Sequence, residues 1–408
     1  MIAGLLLLLC ITAISYYGFA IYASIEFFSH SNHSTLWQLS RRLRQGGWGL
    51  RPQPGVPPLH PVLTNPSLAI ECHPPVSILK PVCCLSSDDY NNLASFCNQD
   101  YPTYEIIFGI QDAQDSSIAV VKQLIDDFPT RDIRFVVSDR ILGSNLKVNN
   151  LANAAIEAKY DVLVLADSDI YVEPDYLTQI VQPLQNPEVG VVTCMYRSRT
   201  EGWLSAFEAL SISTEFLPSV LVARKLEGMS FALGATIVIK KAVLDAIGGF
   251  ASVANYLGDD FRLGYLPAQA GYQVVLSAHV VDHVMSTTRW RDVIHHQTRW
   301  NRNNRFARPG GYLGLIFTYG VVTSSLLCLL LHGSWLGWTI LGVTWSLRLV
   351  MAWMVGIQYL RDPVALNCFW LIPLRDVFSF ALWCYSFWGD TVEWRGRRLK
   401  LTKNGELI

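Results

Sequence analysis

The chain has 408 residues, of which 51% are hydrophobic and only 16% charged, with a formal net charge of −1. That composition is too apolar for an ordinary soluble domain and points to membrane spans, while so neutral a balance excludes the broadly basic surface of a nucleic-acid binder. The nine cysteines form no Cys-x-x-Cys pair and no His/Cys cluster at zinc spacing, so they read as reduced core or membrane thiols of a cytosol-facing protein.

Residues 1–28, MIAGLLLLLCITAISYYGFAIYASIEFF, are nearly uncharged and long enough to cross a bilayer. A cleaved secretory signal would begin with a basic residue and have a shorter apolar core. Here the basic run RRLRQGGWGLR comes afterwards. By the positive-inside rule that side is cytosolic, so the segment reads as an uncleaved anchor with its N-terminus outside. Residues 29–75 read as a basic and Pro-rich linker, whose part from 51 to 75, with eight prolines, is expected to be extended rather than helical.

From residue 76 to 290, short apolar runs alternate with helical ones. VSILKPV, YEIIFGI, IRFVV and YDVLVLA read as strands, and Tyr90–Asn98, Ser116–Phe128 and Val148–Lys159 as the helices between them. Such alternation predicts an α/β domain with a mainly parallel sheet, which binds ligands beyond the carboxyl ends of its strands.

Residues 291–310 are basic and helical, with Arg299, Arg302, Arg305 and Arg308 every three residues and Trp300 and Phe306 interleaved. This predicts an interfacial helix, with Arg302, Arg305 and Arg308 on anionic lipid and Arg299, beside Trp300, as a candidate to neutralise a leaving diphosphate, since its planar fork matches phosphate oxygens. Its place just before a membrane run argues against RNA. Residues 311–390 hold three apolar segments, Gly311–His332, Leu336–Leu360 and Val364–Trp388. Arg348, Arg375 and Asp376 fall inside them and are expected to face each other or the protein interior, because a lone charge at bilayer depth is costly. Three full spans would leave the basic tail, residues 391–408, outside. One segment is therefore expected to be re-entrant or interfacial, with Val364–Trp388 the candidate.

The most hydrophobic strand, VLVLA, stops at Asp167 and Asp169. Residues i and i+2 of an extended chain point the same way, and two neighbouring carboxylates repel unless a cation lies between them. Mg2+ or Mn2+ bound by one or two carboxylates completes its shell with water and phosphate oxygens, so the pair reads as a metal–diphosphate site; the alternative is a solvated acidic turn. Asp112, just after YEIIFGI, occupies the same rim, and nearby Asp115 fits the cap of the next helix. Asp259 and Asp260 open a further helix, as dipole partners or with one of them as the base for a hydroxyl proton. Lys80 and Lys147 are candidate donor-binding cations, with an ordinary surface lysine as the alternative for Lys147.

Taken in order, SILKPV, NLASFCNQDYPTYEIIFGIQDAQD, KVNNLANAA, YDVLVLADSDI, the Gly258–Phe261 group, TRW and TVEWRGRRLKL resemble glycosyltransferase family 21, the ceramide glucosyltransferases and their bacterial relatives, within the GT-A fold. The resemblance covers nearly everything from Ser77 onward. It implies a UDP-sugar donor, glucose the expected sugar, and a membrane-lipid acceptor, ceramide first. It implies Asp112 at the uridine, Asp167 and Asp169 on the metal, Asp260 as catalytic base with Asp259 accessory, and Arg299 and Trp300 from a Gln/Arg-x-x-Arg-Trp motif. At that motif's first position this chain has His296, with Gln297 one place later. Near Phe216, where the eukaryotic ceramide enzyme has a functional histidine, it has none, which weighs against ceramide. The remaining readings are N-acetylglucosamine transfer to a hopanoid polyol, glucosyl transfer to diacylglycerol, a processive polysaccharide synthase, and a non-catalytic membrane protein on a transferase scaffold. The expected location is a membrane with the catalytic domain on its cytosolic face.

Overall fold

The computed structural model describes residues 1–45, 73–286, 289–394 and 396–408, with backbone alone for residues 30–45. The N-terminal helix, Ile2–Gln45, runs past the expected end of the anchor at residue 28 into the segment assigned to the linker, and the proline-rich part of that linker lies almost wholly outside the described residues.

Eight strands form one sheet: β1 Val76–Pro81, β2 Tyr104–Ile110, β3 Asp132–Val137, β4 Val162–Leu165, β5 Ile170–Tyr171, β6 Val189–Thr200, β7 Ile237–Lys240 and β8 Gln273–Met285. Their order is β3-β2-β1-β4-β7-β6-β8-β5. Four of the seven pairings are parallel and three antiparallel. β1, β2 and β4 are buried along their whole length, as near-continuous apolar runs covered on both faces must be. β3 lies at the edge and is only partly buried. This is the expected α/β class, with a mainly parallel sheet. The four predicted strands and three predicted helices are all present, and β6, β7 and β8 complete a half that the sequence reading left unassigned.

The chain winds outward from β1 through β2 to β3, then returns to the other side of β1 as β4. That reversal opens a crevice at the carboxyl ends of β1 and β4, the usual ligand position in such sheets. The Leu146–Ile156 helix lies close over β2. A Cβ at Gly109 would stand 2.3 Å from the Asn150 carbonyl oxygen, so only glycine lets the helix approach and bring its first turn to the crevice.

Among the described residues, four helices are long and apolar enough to cross a membrane: Ile2–Ser29, Trp203–Glu227, Trp335–Tyr359 and Pro363–Ser386. The second is mostly buried in the protein, and its residues join Phe27, Phe28, Ala352, Val355 and Ile372 in one apolar cluster that welds the membrane helices to the sheet. A further pair, Pro309–Thr318 and Gly320–Leu330, is bent by 50° at its junction. That bend lies in the first C-terminal apolar segment, and Pro363–Ser386 runs as two α-helices joined by a 3-10 turn at Phe369–Leu371. Tyr17 seals the bend: its hydroxyl donates to the Thr318 carbonyl at 2.6 Å and accepts from the Gly320 N–H at 3.0 Å. Backbone groups freed at a break need such partners where water is scarce. As expected, Arg348 and Asp376 face each other, in two buried hydrogen bonds of 2.7 and 2.9 Å.

Two expectations are corrected. Arg302 donates to the carbonyls of Thr391 and Trp388, Arg305 to those of Ser386 and Gly389, and Arg308 pairs with Glu227. Arg302 and Arg305 thus clamp the chain at and just beyond the end of the Ile372–Ser386 helix, whose final carbonyls lack helical partners, and Arg308 ties to the end of the Leu217–Glu227 helix, so all three guanidinium groups are held by protein partners. The C-terminal segment is a folded element and not a plain basic tail. β9 Thr391–Trp394 and β10 Arg397–Lys400 form a hairpin, Leu257 packs with Val392, Leu401 and Leu407, and the Leu407 N–H bonds the Asn255 carbonyl at 2.7 Å.

Candidate active site

The crevice is a cavity of about 1110 Å³, lined by residues from the loops after β1, β2, β3 and β4, with Tyr196 of β6 and His283 of β8. A drug-sized ligand needs roughly 300–1,000 Å³, so the volume is enough for a ligand at the top of that range.

Asp112, Lys147, Asp167, Asp169, Asp259, Asp260, His296, Arg299 and Trp300 all line it. Nine separately predicted side chains thus meet in one place. Lys80 does not line it. It is fully buried under the loop, its ammonium over the Phe96 ring and donating to the Asp167 carbonyl at 2.8 Å, so it props the Asp-x-Asp turn from beneath. Burial, opposed by Asp167 and Asp169, brings its pKa down to about 7.

Local pairing explains the two aspartates. β4 ends at Leu165 and β5 begins at Ile170, which pairs with His283 of β8. That register sets the His283 ring against Asp169, with Nε2 at 3.3 Å from Oδ2. Burial opposes the negative charge of Asp169, but His283 and the two lysines outweigh it and hold the pKa down at about 2. Asp167 meets Lys147, Nζ to Oδ1 at 2.7 Å, and Lys147 also reaches Asp259 at 3.4 Å. Burial opposes the Lys147 charge, and Asp167, Asp259 and Asp260 more than compensate, raising its pKa. Lys147 stands in the first turn of its helix, capped by the Asn145 side chain accepting from the Val148 N–H.

Asp260 opens the Asp259–Gln269 helix. Burial first, then the Asp259 carboxylate, push its pKa up to about 6. Gly234 sits between the two acidic groups: a Cβ there would stand 3.1 Å from Asp260 Oδ2 and 3.6 Å from Asp167 Oδ2. Asp112 is exposed on the rim, its Oδ1 accepting from the Gln114 N–H at 2.8 Å. Asp115 accepts from the Ser117 N–H at 2.8 Å, but the N-cap of the next helix is Ser116, so Asp115 stands one residue before the capping position expected for it.

The choice between His296 and Gln297 is made by packing. His296 faces the cavity, tilted against Trp300 with ring centroids 4.5 Å apart, and its Nδ1 lies 2.8 Å from the buried Glu208 carboxylate. Gln297 turns inward; its oxygen accepts from Arg375 at 2.8 Å and its amide nitrogen approaches Glu208 at 3.4 Å. Arg375 also reaches the hydroxyls of Ser211 and Ser379, so it faces the protein interior, as expected of a charge in an apolar segment.

Sequence reasoning missed His283, Glu208, Gly234 and the hairpin residues Trp394, Arg397 and Leu399, which close one wall of the cavity. The apolar–polar alternation of VVDHVM marks a strand, but nothing local says that it ends beside an aspartate 114 residues earlier in the chain.

The family model for glycosyl transferase family 21 matches residues 60–407. The chain belongs to glycosyl transferase family 21. Among similar proteins is "Ceramide glucosyltransferase 1" of Caenorhabditis elegans, 24% identical over 359 residues, which are 85% of this chain and 75% of the relative. "Ceramide glucosyltransferase" of Komagataella phaffii is 34% identical over 113 residues, 27% of this chain and 22% of its own. A mannosyltransferase from Pyrobaculum calidifontis, in complex with GDP-Man and Mn2+, superposes with a TM-score of 0.48 at 17% identity, covering 91% of this chain and 99% of its own.

Proposed function

We propose that this family 21 enzyme transfers a hexose, glucose first, from a UDP-sugar to a hydroxyl of a membrane lipid, ceramide first, with inversion at the anomeric carbon. The observation that supports this best is the meeting of Asp112, Asp167, Asp169, Asp260 and Arg299 in one cavity, whose wall is the Trp290–Ala307 helix that runs on into the membrane segments.

Asp167 and Asp169 fit a hard divalent cation, Mg2+ or Mn2+: both present carboxylate oxygens to the cavity, with side chains 34% and 47% exposed, and both already hold cationic groups at the positions a metal would contest. When bound, such a cation supplies Lewis-acid neutralisation of the diphosphate. The protein's own groups do the rest. Asp112 receives the nucleoside end. Asp260 accepts the proton of the acceptor hydroxyl, whose oxygen attacks the anomeric carbon from the face opposite the diphosphate. Arg299 meets the negative charge that grows on the leaving group, a contribution strongest where charge develops. His296 and Trp300 form the adjoining wall for sugar or acceptor.

Mass spectrometry of lipids from a host expressing the chain, against an Asp260→Asn control, tests the proposal. A hexosyl lipid present only with the unaltered chain supports it; a polymeric product, or no new glycoconjugate, overturns it.

A further inference from the structure

Cys83 and Cys84 follow β1 and have no part in the reaction proposed above. Along an extended chain neighbouring side chains point to opposite sides. These two do not. Cys84 has a φ of 60°, in the left-handed region that few residues other than glycine, asparagine and aspartate enter, and its sulfur lies 2.8 Å from Cys83 Sγ. Asp115 arrives from the loop after β2. Its Oδ1 is fixed by the N–H groups of Cys84 at 2.9 Å and Ser117 at 2.8 Å. One ligand atom from each of the three residues lies within 4.8 Å of the other two. All three residues line the large cavity, beside Gln111 and Asp112. Neither cysteine is in a disulfide, and Cys84 is exposed. Cys83 is half-buried and Cys84 exposed, so this pair departs from the expected core or membrane thiols.

We propose that Cys83, Cys84 and Asp115 form a second metal site, for a thiophilic divalent cation of the zinc class, and that a cation held there closes the nucleotide end of the cavity. The donor sets separate the two sites. Asp167 and Asp169 offer hard oxygens, which suit Mg2+ or Mn2+. Two thiolates and a carboxylate suit zinc or cadmium. Three protein ligands leave a fourth tetrahedral position for water. Binding breaks two S–H bonds, forms two sulfur–metal bonds and releases both protons to solvent. Modest opening of the sulfur pair admits the ion, because Cys84 lies at the surface. Once bound, the ion and its water fill the space next to Asp112. The closing effect rests on the donor-binding reading given above; the binding itself does not.

Two measurements on the full-length protein test this, both with Mg2+ in excess. Cadmium titration, followed by thiolate-to-metal ultraviolet absorption, is expected to saturate at a single site in the unaltered protein and to lose that band in the Cys83→Ser/Cys84→Ser variant. Normal UDP binding by the variant shows that its cavity is intact. Zinc at about ten times its Kd is expected to raise the KM for UDP-sugar about tenfold with kcat unchanged, as competition requires, and to leave the variant's KM unaffected. A cadmium band that survives the double substitution, or is absent from the unaltered protein, overturns the site. Zinc inhibition that survives it locates the inhibitory ion at Asp167 and Asp169 and overturns the closing effect. If no UDP-sugar is turned over, the donor reading fails while the cadmium titration still decides the site.

Discussion

Asp260 illustrates what a single residue's surroundings decide. As a free carboxyl it would be ionised far below neutrality; in the cavity, burial and Asp259 hold it at about 6. A base works only when deprotonated, so kcat/KM is expected to fall as pH drops below about 6 and to level off above it. A profile with no acid limb near that value would contradict the assignment. Asp260→Asn removes the proposed base while keeping the shape, and is expected to lower kcat by about 10²–10⁴-fold with binding of the proposed UDP-sugar donor, measured by calorimetry, nearly unchanged. Gly234→Ala tests the spacing of the acidic groups. Its methyl would press on Asp260 and touch Asp167, and a small misplacement at a reacting centre costs about 10²-fold in rate, so the variant is expected to fold normally and turn over slowly.

At the scale of elements, the Trp290–Ala307 helix joins the site to the membrane helices, and Glu208 is the pin. It accepts from His296 on the cavity side and Gln297 on the inner side. Glu208→Ala leaves both without that acceptor, and hydrogen bonds to a buried charge are worth about 1.5–3 kcal/mol each. A lower unfolding temperature and reduced kcat are expected together, with partial recovery of both in Glu208→Gln. The C-terminal hairpin makes a second test. Ending the chain after Asp390 removes Trp394, Arg397 and Leu399 from the cavity wall and the Thr391 carbonyl from Arg302. Weaker UDP binding by calorimetry is the expected result; unchanged affinity would show that the hairpin closes nothing. The strands and helices around the parallel half were legible because their apolar runs and turn residues are local signals. The arginine stripe was misread because three-residue spacing says which side of a helix is basic, not whether lipid or the end of another helix covers it.

Over the whole molecule, the membrane helices and the sheet form one unit. The cluster from Phe27 to Ile372 joins them, and the Arg348–Asp376 pair ties two membrane-segment helices together. Removing one partner of a buried pair leaves an uncompensated charge and costs about 3–5 kcal/mol, whereas replacing both with apolar residues is often nearly neutral. Asp376→Leu alone is therefore expected to lower stability markedly, and Arg348→Met with Asp376→Leu to recover most of it. Thermal unfolding in a double-mutant cycle measures the difference.

The sequence by itself determined the α/β class, the presence of apolar segments at both ends, and the acidic residues at the strand ends, because periodicity, composition and residue type are properties of short windows. Tertiary structure alone decided which of His296 and Gln297 faces the cavity, that His283 backs Asp169, that Lys80 lies beneath the site, and that Cys83, Cys84 and Asp115 share one corner. Those outcomes depend on strand register and helix packing between residues far apart in the chain, where no local pattern reaches.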